Sequence, residues 1–151
     1  MIRITFFVML SIAILADCFN CNHNVKNKAK ADVSFVNSVA VDRKVYIDRL
    51  IESIESSDCV YGRYTGVMGE ESQTYKDFET LCQLAPDTLW YKLSHSQSAV
   101  MRIYSYKALE LKNPKLALIV RKSLENDTAA VCCHDGDLGF HGSVEYVIKN
   151  F

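Results

Sequence analysis

The feature that most constrains the fold is a helical period of apolar residues running from about Asp42 to Leu124. Five segments carry it: residues 42–56, 71–84, 86–93, 98–112 and 114–124. Within each segment, apolar side chains recur at steps of three and four residues, which places them on one face of a helix. Pro86 and Pro114 each suit the first turn of the helix that they begin. The sequence therefore predicts five amphipathic helices that bury their apolar faces against one another.

Two regions depart from the helical period, and a third, before the first helix, is ambiguous. Three glycines within residues 62–69 indicate a turn-rich loop after the first helix. Towards the C-terminus, residues 129–132 and 144–148 have the composition of strands, with a glycine-bearing loop between them. Residues 33–41 are rich in β-branched side chains and fit either a strand or the start of a helix. The predicted fold is mainly α, with a small C-terminal β-hairpin or irregular tail.

The N-terminus is typical of an exported protein. A short cationic start, Met1-Ile2-Arg3, is followed by an apolar run of thirteen residues from Ile4 to Ala16. A helix of that length rises about 20 Å, less than the roughly 30 Å hydrocarbon core of a bilayer. The run has no polar face, so it does not fit an amphipathic helix of a core. We expect residues 1–17 to be a signal segment.

The end of this segment resembles a bacterial lipoprotein signal. Its last residues, Leu-Ala-Asp-Cys, match the pattern in which the cysteine is lipidated, although Asp17 stands where a small residue is usual. Cleavage after Ala16 by the ordinary signal peptidase is the alternative. Residues 18–31 are rich in Asn and Lys and suit a flexible tether. We expect a periplasmic or cell-envelope lipoprotein anchored at Cys18, with a secreted protein as the alternative.

Six cysteines bear on the chemistry of an exported chain: Cys18, Cys21, Cys59, Cys82, Cys132 and Cys133. Oxidation is the default outside the cytosol, and the sequence leaves the pairing open. Cys59, in a turn-rich stretch, is a natural bridge candidate, whereas Cys82 also suits a buried apolar position in a helix. Adjacent Cys132 and Cys133 are expected to bond different partners. All four cysteines beyond the tether are disulfide candidates.

One cluster in the sequence has metal-ligand side chains: Cys132, Cys133, His134 and His141. Two sulfurs and two imidazoles suit zinc, but the spacing matches no standard finger or ribbon, and thiols of an exported protein favour disulfides. The sequence shows no glycine-flanked serine elbow and no phosphate-binding glycine loop. We expect no cofactor and no catalysis. A small metal-binding protein or metal-dependent enzyme using this cluster is the alternative.

Charge and aromatic content bear on the partner. The formal net charge is −1, so the chain lacks the basic surplus of a nucleic-acid binder. Contact with a membrane is expected only through the lipid anchor. Tyrosine and arginine anchor many protein interfaces. The candidate partner surface comprises Tyr61, Tyr64, Tyr91, Arg102 and Tyr106.

One part of the chain is similar to a known repeat family. The segment Leu89-Trp90-Tyr91-Lys92-Leu93, a polar turn, Met101-Arg102 and Ala108-Leu109 resemble a HEAT repeat. In that family an aliphatic helix is followed by a turn and by a helix that opens with Val-Arg and closes with Ala-Leu. Residues 124–127 and Val131 resemble the start of a second copy, at an offset of about 30 residues.

The resemblance covers residues 86–131, and the wider region 58–148 is similar to uncharacterised exported bacterial proteins of this HEAT-like type. It implies a short armadillo-type α-α superhelix of antiparallel helices over residues 32–151, with no assigned activity. Such stacks present an extended surface and usually bind proteins. We expect an exported, membrane-tethered, non-catalytic module that binds a protein partner, and an inhibitor or immunity-type protein fits this description.

Overall fold

The computed structural model describes residues 40–150. The chain divides into two compact units, Met1–Lys44 and Val45–Phe151, and the contacts reported below lie within the second. The predicted signal segment and tether, residues 1–31 with the lipidated Cys18, lie outside the described residues and stay predictions.

The described residues form six helices and four strands. In chain order they are α1 (residues 40–55), β1 (Cys59–Thr65), β2 (Glu70–Glu71), α2 (Gln73–Leu84), α3 (Asp87–Leu93), α4 (Ala99–Lys112), α5 (Pro114–Ser123), β3 (Ala130–Gly136), β4 (Leu138–Ser143) and α6 (Val144–Asn150). The strands form one sheet in the order β2-β1-β3-β4. Strands β1 and β3 are parallel, and the two outer strands are antiparallel to their neighbours. Helices α2 to α5 form the long connection that parallel pairing requires.

The prediction of a mainly α fold with a hairpin tail is wrong, because a four-stranded mixed sheet makes this an α/β fold. The predicted loop 62–69 begins inside a strand, because residues 59–65 form the central strand β1, which pairs with β3 far along the chain. Residues 144–148, where the sequence predicts a strand, belong to α6. The Ser143 hydroxyl accepts a hydrogen bond from the Tyr146 N–H, which favours a helix start at that point.

The helices predicted between residues 71 and 124 are confirmed individually. Three of these helices have an N-cap side chain: Ser72 in α2, Ser98 in α4 and Asn113 in α5. Each cap oxygen accepts a hydrogen bond from the backbone N–H three residues further along the chain. The segment that resembles a second repeat copy leaves the helical pattern after α5, and its Val131 lies in β3. The helices therefore cover one face of a sheet and do not continue as a stack.

The core lies between these helices and the sheet. Trp90, Met101 and Tyr104 are fully buried, and the Phe78 ring stacks on the Tyr104 ring with 4.7 Å between centroids. The strands contribute Val60, Val131 and Cys133. Alternation along a strand sends every second side chain into this core and leaves the others on the opposite face. The opposite face carries the first candidate site.

Three apolar positions that the helical period places inward are exposed, the first of them Val45 in α1. Leu111 lies near the end of α4 and Ile119 in the middle of α5. The buried residues of α5 are Ala117 and Val120. Only part of the apolar stripe on each of these helices therefore packs against the core, and the rest faces solvent.

Candidate functional site

The face of the sheet opposite the helices brings together two cysteines, an imidazole and a phenol. Cys59 of β1 is in register with Cys132 of β3, and Tyr61 is in register with His134 two residues further along. Because residues two apart on a strand point the same way, all four side chains share one face. Cys59 and Cys132 form a disulfide with their Cα atoms 4.7 Å apart. Of the four disulfide candidates, the structure pairs Cys59 with Cys132 and leaves Cys82 and Cys133 as thiols.

The His134 imidazole is held from two sides. The Tyr61 ring stacks on it with 5.6 Å between centroids and an interplanar angle of 17°. Gly139 of β4 lies in register on the other side, and a Cβ atom there would stand 2.8 Å from Cε1 and 2.9 Å from Nδ1 of the imidazole. The ring therefore occupies space that only glycine leaves open. This fixes His134 next to the two sulfurs.

The donor atoms on this face are close enough to share one ion. The two sulfurs and a ring nitrogen of His134 all lie within 4.8 Å of one another. His141 of β4 is in register with Cys132, which adds a second imidazole to the same face. The structure therefore brings Cys59, Cys132 and His134 together as one donor group, with His141 on the same face outside that group.

The predicted metal cluster is only partly brought together. Cys132, His134 and His141 share the outer face, but Cys133 points into the core and is fully buried. The missing sulfur comes from Cys59, far away in the sequence. Its pairing with Cys132 depends on parallel strand pairing, and no local spacing signals that. The β-branched Val60 and the aromatic Tyr61 beside Cys59 are the kind of residues that favour a strand in this segment.

The inner face carries a different cluster around Cys133. Burial raises the pKa of the Cys133 thiol to about 11, and the nearby Lys107 ammonium opposes that shift. Burial lowers the pKa of Lys107, while the charges of Cys133, Asp135 and Glu110 raise it. Cys82 on α2 is also a free thiol whose burial raises its pKa to about 11. Both thiols are protonated at neutral pH, so neither is an activated nucleophile.

A second candidate surface lies where two tight turns meet at one end of the sheet. The turn between β1 and β2 is closed by a hydrogen bond from the Gly69 N–H to the Gly66 carbonyl, at 3.1 Å. The turn between β3 and β4 has Gly136 at its first central position with a φ of 61°, a conformation that glycine adopts without strain. The Gly66 N–H donates to the Gly136 carbonyl at 2.7 Å. The two turns are therefore fastened side by side.

These turns present apolar side chains to solvent. Val67 is 92% exposed, Met68 is 88% exposed and Leu138 is 71% exposed. We call these three residues the turn surface. The neighbouring stretches 64–71 and 135–139 contain four acidic residues and no basic one. Within them, Glu71 pairs with Lys76, and this contact lowers the pKa of the Glu71 carboxyl.

A cleft of about 490 Å³ opens beside α4. Its aromatic side is formed by Tyr75 and Phe78, and its apolar side by residues of α4 and α6. Charged side chains line the remainder: Lys107, Glu110, Arg121 and Lys149. No cluster of nucleophile, base and orienting group is visible in this cleft among the described residues.

The five residues predicted as a partner surface have different environments. Tyr64 and Tyr91 are exposed. Tyr61 is half-buried against His134, and Tyr106 is buried, contrary to the expectation, with its hydroxyl donating to Glu110 at 2.9 Å. Arg102 is held by two hydrogen bonds to the Asp127 carboxylate and by the carbonyls of residues 96 and 97. Three of the five thus serve contacts within the chain.

Comparison with protein-family models, with curated proteins and with solved structures finds no match. The HEAT resemblance stays a prediction. Among residues 40–150, no helix is long and apolar enough to cross a membrane. The sites described above therefore rest on the geometry of this chain alone.

Proposed function

We propose that this protein is an exported, non-catalytic module that binds a protein partner through the turn surface. One observation carries the proposal: Val67 and Met68 stand almost fully exposed on the turn between β1 and β2, and Leu138, the first residue of β4, is 71% exposed beside the turn between β3 and β4. The Gly66–Gly136 hydrogen bond fastens these two turns together. The proposed role agrees with the function expected from the sequence. The residues proposed to contact the partner are different: the set expected from the sequence consists mainly of tyrosines, and none of its members belongs to the turn surface.

The exposure of these side chains favours an interface over an ordinary surface. A single exposed apolar residue is common in soluble proteins, whereas several exposed apolar residues at one end of a sheet are typical of an interaction surface. Burying each of them against a partner stabilises the complex by about 1.5–3 kcal/mol. Because hydrogen-bonded turns are already ordered, little conformational entropy is lost on binding. The turn surface therefore has the properties of a small hot spot.

The charges around the turn surface indicate the chemistry of the partner. Glu70, Asp135 and Asp137 are exposed beside the apolar side chains. An acidic rim is attracted to a protein surface in which an apolar patch is bordered by lysine or arginine. It is repelled by anionic lipid headgroups, so a membrane surface is disfavoured. We therefore infer a partner with a basic rim around an apolar recess.

Export is part of this proposal, and the disulfide supports it. A bridge between Cys59 and Cys132 is expected to persist in an oxidising compartment. Cell fractionation combined with the intact mass of the mature chain tests this part. A mass increased by a lipid on Cys18 would support the tethered form, and recovery of the uncleaved chain in the cytosol would contradict export.

Site-specific photo-crosslinking in intact cells tests the binding surface. A photoreactive residue at position 67, 68 or 138 should yield the same discrete adduct, whereas one at position 118 should not. Leu118 is a matched control because it is apolar and exposed, but lies on α5. Asp137→Lys should lower the yield at position 67 because it removes a charge from the acidic rim and adds one of opposite sign. Equal adducts at position 118, or none at the three turn positions, would refute this surface.

A further inference from the structure

The outer face of the sheet supports a second function that does not depend on the turn surface. We propose that Cys59, Cys132, His134 and His141 form a Zn²⁺ site that the Cys59–Cys132 disulfide closes and reduction opens. In the oxidised chain the two sulfurs bind each other. In the reduced chain they bind the metal together with the two imidazoles.

The distances between donor atoms fit this assignment. In a tetrahedral zinc site with Zn–S bonds of about 2.3 Å and Zn–N bonds of about 2.0–2.1 Å, the ligand atoms lie about 3.3–3.8 Å apart. The two sulfurs and the His134 nitrogen already lie within 4.8 Å of one another. Breaking the disulfide lets the sulfurs separate towards that spacing. Small side-chain rotations are then enough, and the strands need not move apart.

The His134 imidazole is already held in one position before a metal binds. Its ring is stacked on Tyr61 and packed against the backbone of Gly139, so it does not have to be ordered when a metal binds. Pre-ordering a ligand lowers the entropic cost of binding. A side chain on Gly139 would displace the ring, which makes that glycine part of the site.

His141 supplies the fourth ligand. It faces Cys132 across the antiparallel pair of β3 and β4, and side chains in directly opposed positions have Cβ atoms about 4.5–5.5 Å apart. The side chain of His141 is exposed, and the proposal requires its ring to turn towards the Cys132 sulfur when the metal binds. Two thiolates and two imidazoles form a donor set that selects zinc over calcium and magnesium, which prefer oxygen.

Small thiols and disulfides are sufficient to convert the site between its disulfide form and its metal-binding form. Two molecules of a small thiol reductant reduce the Cys59–Cys132 bond, forming two protein thiols and one disulfide of the reductant. Zn²⁺ then displaces one proton from each thiol and binds both thiolates. Oxidation by the disulfide of a small thiol reverses the sequence: the two thiolates pass two electrons to that disulfide, which takes up two protons and becomes two thiols, while the Cys59–Cys132 bond forms again and the metal is released. The same two residues therefore crosslink β1 and β3 in both states.

The test compares Zn²⁺ binding by the oxidised and reduced full-length chain. After reduction with dithiothreitol and anaerobic desalting, we expect about one Zn²⁺ per chain, and at least a hundredfold weaker binding by the disulfide form. Co²⁺ should give the reduced chain the thiolate-to-metal bands and ligand-field bands of a tetrahedral site. A Cys18→Ser/Cys21→Ser background should bind equally well, which assigns the metal to the sheet. Reduced wild-type chain without these bands would overturn the proposal.

Variants separate this site from the cluster predicted by sequence. His134→Ala and His141→Ala should each weaken Zn²⁺ binding by about tenfold or more, and Gly139→Ala by about tenfold through displacement of the imidazole. Cys82→Ser and Cys133→Ser should bind as wild type does, because neither side chain lies on the outer face. If Cys133→Ser loses binding while Cys59→Ser retains it, the assignment is wrong. Far-ultraviolet circular dichroism of each variant verifies that it is folded.

Discussion

The hydroxyl of Tyr104 on α4 satisfies both backbone polar groups of Tyr61 on β1. It accepts a hydrogen bond from the Tyr61 N–H at 2.9 Å and donates one to the Tyr61 carbonyl at 2.7 Å. This contact lies where the register between β1 and β3 shifts, after Tyr61. A side chain from the core therefore binds the backbone of β1 at the last residue before its regular pairing with β3 is interrupted. Since the Tyr61 ring stacks on His134, the same contact positions the outer face.

Replacing Tyr104 by phenylalanine should destabilise the fold strongly, although the substitution removes only one oxygen atom. The N–H and carbonyl of Tyr61 would be left without a partner next to a buried ring, at a cost of about 1–3 kcal/mol in the free energy of unfolding. Chemical denaturation measures this cost. Tyr106→Phe is the control, because it removes a single bond to the exposed Glu110 and should cost less than about 1 kcal/mol. Equal effects of the two substitutions would contradict this role of Tyr104.

Reducing the Cys59–Cys132 disulfide in the absence of zinc should lower stability. The bond closes a loop with a sequence separation of 73, for which loss of unfolded-state entropy predicts a contribution of about 4 kcal/mol. Thermal unfolding with and without dithiothreitol, in the presence of a chelator, measures it. Cys82→Ser should respond as wild type does, and Cys59→Ser/Cys132→Ser should not respond to the reductant. A wild-type melting temperature insensitive to reduction would exclude a stabilising bond.

Removing the Arg102 guanidinium should destabilise the start of α4 and the segment before β3. Arg102 binds the Asp127 carboxylate through Nε at 2.7 Å, and both side chains are largely buried. Arg102→Ala leaves that carboxylate unpaired, and we expect a loss of about 2–3 kcal/mol, between the values for exposed and fully buried pairs. Arg63→Ala is the control, since it breaks the exposed pair with Glu79. Chemical denaturation measures the stability of both variants. Coinciding midpoints for Arg102→Ala and Arg63→Ala would contradict the prediction.

Stability should fall as the pH rises from about 9 to about 11. Burial raises the pKa values of Cys82 and Cys133 from 9.0 to about 11, so the unfolded chain binds fewer protons than the folded chain in this interval. The contribution is fully present below the unfolded pKa and is lost as the pH passes through the folded pKa. Lys107, whose pKa is lowered by burial, acts in the opposite direction. The contribution of one thiol is therefore obtained by comparing the pH dependence of the free energy of unfolding between wild type and a variant that lacks that thiol.

Cys133→Ala should show a shallower decline of the free energy of unfolding with pH than wild type. Denaturant titrations at several pH values from about 8 to about 11 give both slopes. Ser123→Ala, at an exposed position of α5, controls for substitution itself. Parallel curves for wild type and Cys133→Ala would show that the Cys133 thiol titrates equally in both states.

The candidate metal residues show how far prediction from sequence reached. Cys132, His134 and His141 attract notice because their side chains bind metals and lie close in sequence. Cys133 belongs to the same stretch but faces the core, since consecutive residues of a strand point to opposite sides. A one-residue change of register would exchange their roles. Cys59 could not be identified as their partner, because its position depends on β1 and β3 pairing around four intervening helices.

The amino-acid sequence by itself determined the helices from α2 to α5: the segments predicted to begin at residues 71, 86, 98 and 114 begin at 73, 87, 99 and 114 in the structure. Helical hydrogen bonds join residues four apart, and Ser72, Ser98 and Asn113 cap their own helices, so the information is local. Tertiary structure alone decided the sheet, the disulfide, the faces of the sheet and the meeting of the two turns. These depend on contacts between distant residues, and such contacts form only when the core brings β1 and β3 together.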